Sequence, residues 1–188
     1  LVENYPRKPL ASFNPGAVLL GEELLVFPRL IFDYYNYTSS IGFFKLDVED
    51  LLSGSIQRPL PTRIVIWPTE LWEFRGCEDA RVAVEGGEYL VLYTGYGYHY
   101  ESGDMVKRAV QALARLDGSL QLRHKGYFRV VDESGGVYVL DWMKDSALLR
   151  IDGTRCTMLT RPTVGEIDVC WRACADLGET VVDAESME

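Results

Sequence analysis

The sequence predicts an all-β chain built from repeated four-stranded units, the architecture of a β-propeller. Three observations predict it. Among 188 residues, 17 glycines, 8 prolines and 12% aromatics describe short strands broken by many turns. A turn glycine followed by an apolar, β-rich run returns at Gly21, Gly87 and Gly153, spaced 66 residues apart. An Asn or Asp stands ahead of each glycine, at Asn14, Asp79 and Asp145.

Each element of the unit follows from its residues. Ala17-Val18, Arg81-Val82 and Ala147-Leu148 begin a first strand after the Asn or Asp. Leu24–Phe27, Leu90–Tyr93 and Cys156–Leu159 form second strands apolar enough to be buried on both faces. Third strands end in Asp at Ile41–Asp47, Val110–Asp117 and Val169–Asp176, and space for a fourth remains before the next unit. A 66-residue unit is longer than the roughly 40 to 50 residues of common propeller blades and leaves room for loop insertions. The units fall near 10–75, 76–141 and 142–188, with Thr180-Val181-Val182 the only candidate for a fourth strand of the third. A β-sandwich also has many short strands, but gives no reason for one polar residue type to return in the same place. First strands line the channel of a propeller, so Asn14, Asp79 and Asp145 are expected to converge on one axis. An Asn or Asp also starts an Asx-turn, so the residues alone leave a purely structural role open.

Composition excludes several functions. Apolar residues at 47% and charged residues at 25% are ordinary globular proportions. Nineteen basic against 28 acidic residues give a formal charge of −9, with no basic run to track phosphates, so nucleic acid is not an expected partner. The longest apolar runs fall far short of the roughly 20 residues that span a bilayer, and the N-terminus lacks the apolar region of a signal peptide. No membrane contact and a cytoplasmic location are expected. The sequence begins at Leu1 without a Met, as a trimmed chain or a piece of a longer one would. Four cysteines without a CxxC pair and two histidines argue against a metal site. A hairpin centred near Thr163 would set Cys156 opposite Cys170, where a disulfide is conceivable. Gly95-Tyr96-Gly97 lacks the third glycine and helix of a dinucleotide loop. Asn36-Tyr37-Thr38 is a glycosylation sequon, without meaning unless the chain is secreted, and His99 and His124 read as isolated, exposed residues.

The second unit runs Gly76-Cys77-Glu78-Asp79-Ala80-Arg81 and continues to Tyr93-Thr94-Gly95-Tyr96. This resembles glycoside hydrolase family 130, the β-mannoside phosphorylases and related hydrolases, whose signature is Gly-x-Glu-Asp-Pro-Arg followed by Tyr-Thr-Ala-Tyr. Phe13-Asn14-Pro15-Gly16, Arg29, Ser39-Ser40-Ile41-Gly42, Lys144-Asp145-Ser146-Ala147-Leu148 and Arg161-Pro162 are similar to further family elements in the same order. Ala80 stands in place of the signature Pro, and Thr160 where the phosphorylases carry a His associated with phosphate.

The resemblance implies a five-bladed propeller, of which this chain holds about three blades, and an enzyme that cleaves β-1,4-linked mannosides by inverting phosphorolysis. It makes Asp79 the general acid, its proton relayed through a sugar hydroxyl. Inorganic phosphate is then co-substrate and attacking group, and no other cofactor is required. Phosphate needs fixed cationic donors, for which Lys144 and Arg161 are the candidates. Asn14, Arg29 and Asp145 are candidates for contacts to the oligosaccharide, and Tyr93, Tyr96 and Tyr98 for a sugar-stacking wall. Glu78 lies beside Asp79, and a close carboxylate raises its neighbour's pKa, although strand alternation should point the two to opposite sides. Two readings remain beside phosphorolysis: hydrolysis by water with a carboxylate base such as Asp145, and a non-catalytic carbohydrate-binding or scaffold module. Three blades of a ring that closes with more would expose apolar end faces, which predicts a homo-oligomer.

Overall fold

A computed structural model describes residues 2–35 and 37–188; Leu1 and Asn36, the first residue of the sequon, lie outside the described residues. The first unit is an antiparallel meander of β1 (Ala11–Leu20), β2 (Glu23–Ile31), β3 (Ser39–Asp47) and, after helix α1 (Val48–Ser53), β4 (Arg63–Ile66). The second is β5 (Gly76–Glu85), β6 (Glu88–Glu101), β7 (Asp104–Leu116) and β8 (Leu122–Tyr127). Two short strands follow, β9 (Arg129–Val131) and β10 (Val137–Tyr138). The third unit comprises β11 (Met143–Asp152), β12 (Arg155–Val164), β13 (Ile167–Asp168) beside it, β14 (Trp171–Asp176) and β15 (Val181–Asp183). Although β9 and β10 precede β11 in the chain, β9 pairs in parallel with β15, so both lengthen the outer edge of the third sheet.

The repeated turn residues have local causes. Two-residue turns join the first and second strands, with Gly21, Gly86 and Gly153 at φ of 62°, 58° and 64° in their first position. Gly86, not the Gly87 that the 66-residue spacing selects, holds the equivalent place, because Gly87 is the second residue of its turn. The Asp closing each third strand caps the backbone beyond it. Asp47 accepts from Glu49 N, Asp117 from Ser119 N and Gln121 N, and Asp176 from Gly178 N and Glu179 N. Backbone donors, from Gln121 and Glu179 foremost, hold the Asp117 and Asp176 carboxyls below their ordinary range.

Packing explains why β6 and β7 are apolar on both faces. Val91 and Tyr93 join Phe27, Ile41 and Ala112 in a core shared by units one and two, whereas Leu90, Leu92 and Leu113 join Met143, Met158 and Ala173 in one shared by units two and three. The middle sheet thus stands between two others, each buried large side chain worth roughly 1.5–3 kcal/mol. The outer side of β12 and β14 differs. Arg155, Leu159, Arg172 and Cys174 face solvent there, alternating with buried Cys156, Met158, Ala173 and Ala175. Among the described residues no helix is long and apolar enough to cross a membrane.

Gly95 and Gly97 have a packing role. A Cβ on Gly95 would stand 2.5 Å from the Trp72 ring, and one on Gly97 2.4 Å from the Leu71 carbonyl oxygen. The short helical turn Leu71–Glu73 therefore lies directly on β6.

Two sequence expectations fail here. All four cysteines are free, and Cys156 stands opposite Ala175, so Cys170 falls beyond the end of the β12–β14 ladder and the disulfide does not form. Cys77 and Cys156 are buried, and Cys170 and Cys174 exposed. Burial pushes the Cys77 thiol well up and that of Cys156 to about 11. His124 is exposed, but His99 is only 9% exposed, edge-on to Tyr127 at 5.1 Å, because its alternate position on β6 turns it inward.

In the native protein at about pH 8, a thiol reagent should label Cys170 and Cys174 rapidly and the other two only in denaturant, where four thiols are titrated. Burial, with the Arg108 charge, lowers the His99 pKa below 6.5. The unfolded chain then takes up its proton at higher pH than the folded one, so stability present above that value is lost as the pH falls through it. Between about pH 7.5 and 5.5 the melting temperature should fall further in the wild type than in His99→Phe; equal falls would contradict this.

Candidate active site

In the first strand of every unit the hydrogen-bond register slips at the same place. Between Phe13 and Gly16, Glu78 and Arg81, and Lys144 and Ala147, two residues oppose one on the neighbouring strand: Pro28, Tyr93 and Thr160 respectively. The leading residues of these bulges are Asn14, Asp79 and Asp145, with φ of 45°, 53° and 54°. A left-handed residue in an L-chain is disfavoured unless it is Gly, Asn or Asp. The repeated polar residue is thus a requirement of the backbone, and it sits inside the strand rather than in a turn ahead of it.

The bulges also bring the first strands together. A Cβ on Gly16 would lie 2.4 Å from the Ala80 carbonyl oxygen, so the bulges of β1 and β5 are in direct backbone contact. Gly76, at φ 142°, passes so close to Ser39 that a Cβ would meet its hydroxyl oxygen at 2.5 Å, and at this point β3 and β5 pair in parallel. The signature Gly and the Ser39-Ser40 element are therefore two sides of one contact. On its other flank β5 meets β11.

Within this setting Arg29 from β2 reaches both carboxylates of β5. Its Nη2 lies 2.6 Å from Glu78 Oε1 and its Nη1 3.3 Å from Asp79 Oδ1, while its guanidinium lies 5.1 Å from the centre of the Phe13 ring. Alternation had placed Glu78 and Asp79 on opposite sides; the left-handed Asp79 breaks the alternation, and both face the same cation. Burial raises the Glu78 pKa against the opposing charge of Arg29, and Asp79 raises it further. Lys144 and Asp145 also act on Glu78, the first lowering and the second raising its pKa, and both are carried by β11, which flanks β5.

Arg161 stands on β12 where Arg29 stands on β2. It donates from Nε to Asp145 Oδ2 at 2.9 Å and forms a further ion pair with Asp168. Its guanidinium is thus engaged by carboxylates. The Lys144 ammonium lies 5.7 Å from the centre of the Trp142 ring and makes no ion pair among the described residues. Asn14 is exposed on its bulge. No group of three or more His, Cys, Asp or Glu among the described residues is placed to hold a metal.

The tyrosines divide. Tyr93 is 1% exposed, and its hydroxyl donates to buried Glu73 at 2.6 Å, so it belongs to the core between units one and two and not to a sugar-facing wall. Tyr96 lies on the opposite face of β6, half-buried, with its ring centre 5.9 Å from that of Trp142. Tyr98, next on that face, meets exposed Phe74 at 5.9 Å. Trp142 escapes a reading by repeats, since the other units have no counterpart; its signal is its position two residues ahead of Lys144. Arg108 fixes the segment before it, donating to the Val139 carbonyl at 3.1 Å and pairing with Asp141 and Glu101.

A family profile described as beta-1,4-mannooligosaccharide phosphorylase matches residues 1–184. The chain belongs to glycoside hydrolase family 130. Its fold recurs in the crystal structure of a glycosyl hydrolase from Bacteroides ovatus, with a TM-score of 0.63 and 18% identity over 94% of this chain and 51% of that one. A structure described with family 130 hydrolases that target β-1,2 mannosidic linkages in Candida mannan gives 0.61 and 17% over 94% of this chain and 50% of that one. The β-1,2-mannobiose phosphorylase of Listeria innocua, in complex with β-1,2-mannobiose, gives 0.53 and 14% over 93% and 58%. No curated protein matches the sequence. The chain spans about half the length of these solved structures. It carries the blade architecture of the five-bladed propeller on which family 130 is built.

The bulge gives Asp79 a backbone role that substitution separates from any role of its carboxylate. Asp79→Gly and Asp79→Ala both remove the carboxylate, but only Ala pays for a left-handed backbone. Thermal or denaturant unfolding should find the Ala variant less stable than the Gly variant by about 1 kcal/mol. Equal stability would show that the bulge does not hold this residue in its left-handed form.

Proposed function

We propose that the chain supplies the acid-bearing side of a site that cleaves β-1,4-linked mannosides by phosphorolysis, with Asp79 as proton donor and inorganic phosphate as co-substrate. The observation that carries this reading is the carboxylate pair held on Arg29, with Lys144 carried on β11, the strand of another unit that flanks β5. Cleavage breaks the bond between the anomeric carbon and the bridging oxygen. The oxygen leaves with a proton that originates on Asp79, passed through a sugar hydroxyl, while a phosphate oxygen bonds the anomeric carbon from the opposite face. The product is an inverted mannose 1-phosphate.

The surroundings suit these roles. Glu78, whose burial favours the neutral form, limits the negative charge next to Asp79, and Arg29 orients both carboxylates. Lys144 offers an uncommitted ammonium for phosphate. Tyr96 and Trp142 offer apolar ring surface for a sugar. The profile description supports the β-1,4 linkage, while the Listeria innocua protein acts on the β-1,2 linkage, so the linkage is the finest part of the proposal.

One observation favours hydrolysis as a second reading. Thr160, at the place of the phosphorylases' His, is 1% exposed and accepts from the Ser146 hydroxyl at 2.8 Å, and Arg161 already carries two carboxylates. Fewer groups are then left for phosphate. The test is sugar release from β-1,4-mannobiose with and without phosphate. Phosphorolysis predicts phosphate-dependent mannose 1-phosphate, reduced about 10²- to 10⁴-fold in Asp79→Asn, which keeps a left-handed-tolerant residue. Equal release of mannose without phosphate would establish hydrolysis instead, and saturable binding without turnover would reduce the chain to a carbohydrate-binding module.

A further inference from the structure

Units one and two are joined at their bulges by the Gly16–Ala80 contact and by Arg29, and units two and three are joined ahead of the Asp145 bulge by Ala109 N, which donates to the Asp141 carbonyl at 3.2 Å. At the bulge itself the link is a side chain. Gln111 of β7 is 1% exposed, and the other residues of the stretch from Ala109 to Ala114 are apolar. Its Nε2 donates to the carbonyl of Tyr93 at 2.9 Å and to that of Ala112 at 3.3 Å, and its Oε1 accepts from Ser146 N at 3.0 Å. Tyr93 is the residue opposite the Asp79 bulge, and Ser146 is the second residue of the Asp145 bulge. The Ser146 hydroxyl in turn donates to Thr160, the residue opposite that bulge.

We infer that Gln111 is a positioning residue of the site: by bonding the backbone at both bulges it sets the third unit's Lys144 and Asp145 against Glu78 and Asp79. The inference rests on reading these residues as one site. The chemistry of the link is specific. One end must donate to a carbonyl and the other accept from an N–H, which a carboxamide does and an aliphatic or ionised side chain of similar length does not.

The test needs no turnover, so it stands or falls separately from the proposed reaction. In Gln111→Met, Ser146 N–H loses its acceptor, and its hydrogen exchange should quicken about tenfold relative to core amides of β6 such as Val91, the ratio expected for one ordinary hydrogen bond. The Glu78 carboxyl, followed by NMR titration, should at the same time move down toward its ordinary value as β11 loosens and water enters. Burial is the first cause of its upward shift, and Lys144 and Asp145 oppose each other. Gln111→Glu supplies the discriminating case. While protonated, the new carboxyl donates and accepts as the amide did, so Ser146 protection should match the wild type at acid pH; once ionised it still accepts from Ser146 N–H but no longer donates to the Tyr93 carbonyl, and repulsion between carboxylate and carbonyl should then lower that protection. A residue that only fills space would give no such return. Unchanged Ser146 exchange and Glu78 titration in Gln111→Met, pH-independent protection in Gln111→Glu, or failure of Gln111→Glu to fold at acid pH would each overturn the inference.

Discussion

The site depends on one backbone constraint, the left-handed residue at the head of each inner-strand bulge. A regular strand sends neighbouring side chains to opposite faces, so two adjacent carboxylates cannot share a partner. The extra residue in the bulge, with φ near +50°, restores the strand after Asp79 while turning that residue out of sequence with its neighbours. Glu78 and Asp79 then converge on Arg29. Asp fits this place twice over, since it is among the few residues that tolerate the left-handed region and it carries the carboxylate that pairs with Arg29.

What the bulge arranges, the layer behind it makes rigid. Glu73 is fully buried directly under the second unit's inner strand and accepts from Thr69 N, Glu70 N, the Tyr93 hydroxyl and the Lys125 ammonium. A buried pair of this kind is a weak source of net stability, yet losing one partner costs about 3–5 kcal/mol because the other is left uncompensated. Its consequence is geometric. Lys125 comes from β8, Tyr93 from β6 and Glu73 from the turn that lies on Gly95 and Gly97, so one carboxylate ties the outer strand and a middle strand of the second unit to the segment preceding Asp79.

Much of this was legible in the sequence, and the failures share a cause. The repeat, the strand order and the Asp that closes each third strand rest on short-range chemistry, namely turn glycines, apolar runs and Asx capping, which a sequence displays directly. Asn14, Asp79 and Asp145 were found for the same reason. The opposite-face expectation for Glu78 and Asp79 failed because a two-residue period assumes an unbroken ladder, and nothing local announces a bulge except the Asx itself. Tyr93 and His99 share an inward face of β6 that periodicity can identify as a face but not as inward. Gln111 and Trp142 act between units, and the contacts that give them meaning are separated by 35 and 46 residues from Ser146 and Tyr96.

Arg29 and Arg161 are equivalent in position and differ in partner. Both stand one residue beyond the one opposite their bulge, and both bind the Asp at the head of a bulge, but Arg161 binds that of its own unit, whereas Arg29 crosses to the next. An ion pair within one blade would persist however the blades were set. The pair at Asp79 exists only where β2 and β5 are held in register, which Gly16 against Ala80 and Gly76 against Ser39 do by letting backbones approach to a distance that no Cβ on the glycine allows. The small residues of the signature and the charged ones are therefore not separate motifs. Close packing of two blades is what presents two carboxylates to one guanidinium, and the chemistry proposed for Asp79 is a property of that interface rather than of either sheet alone.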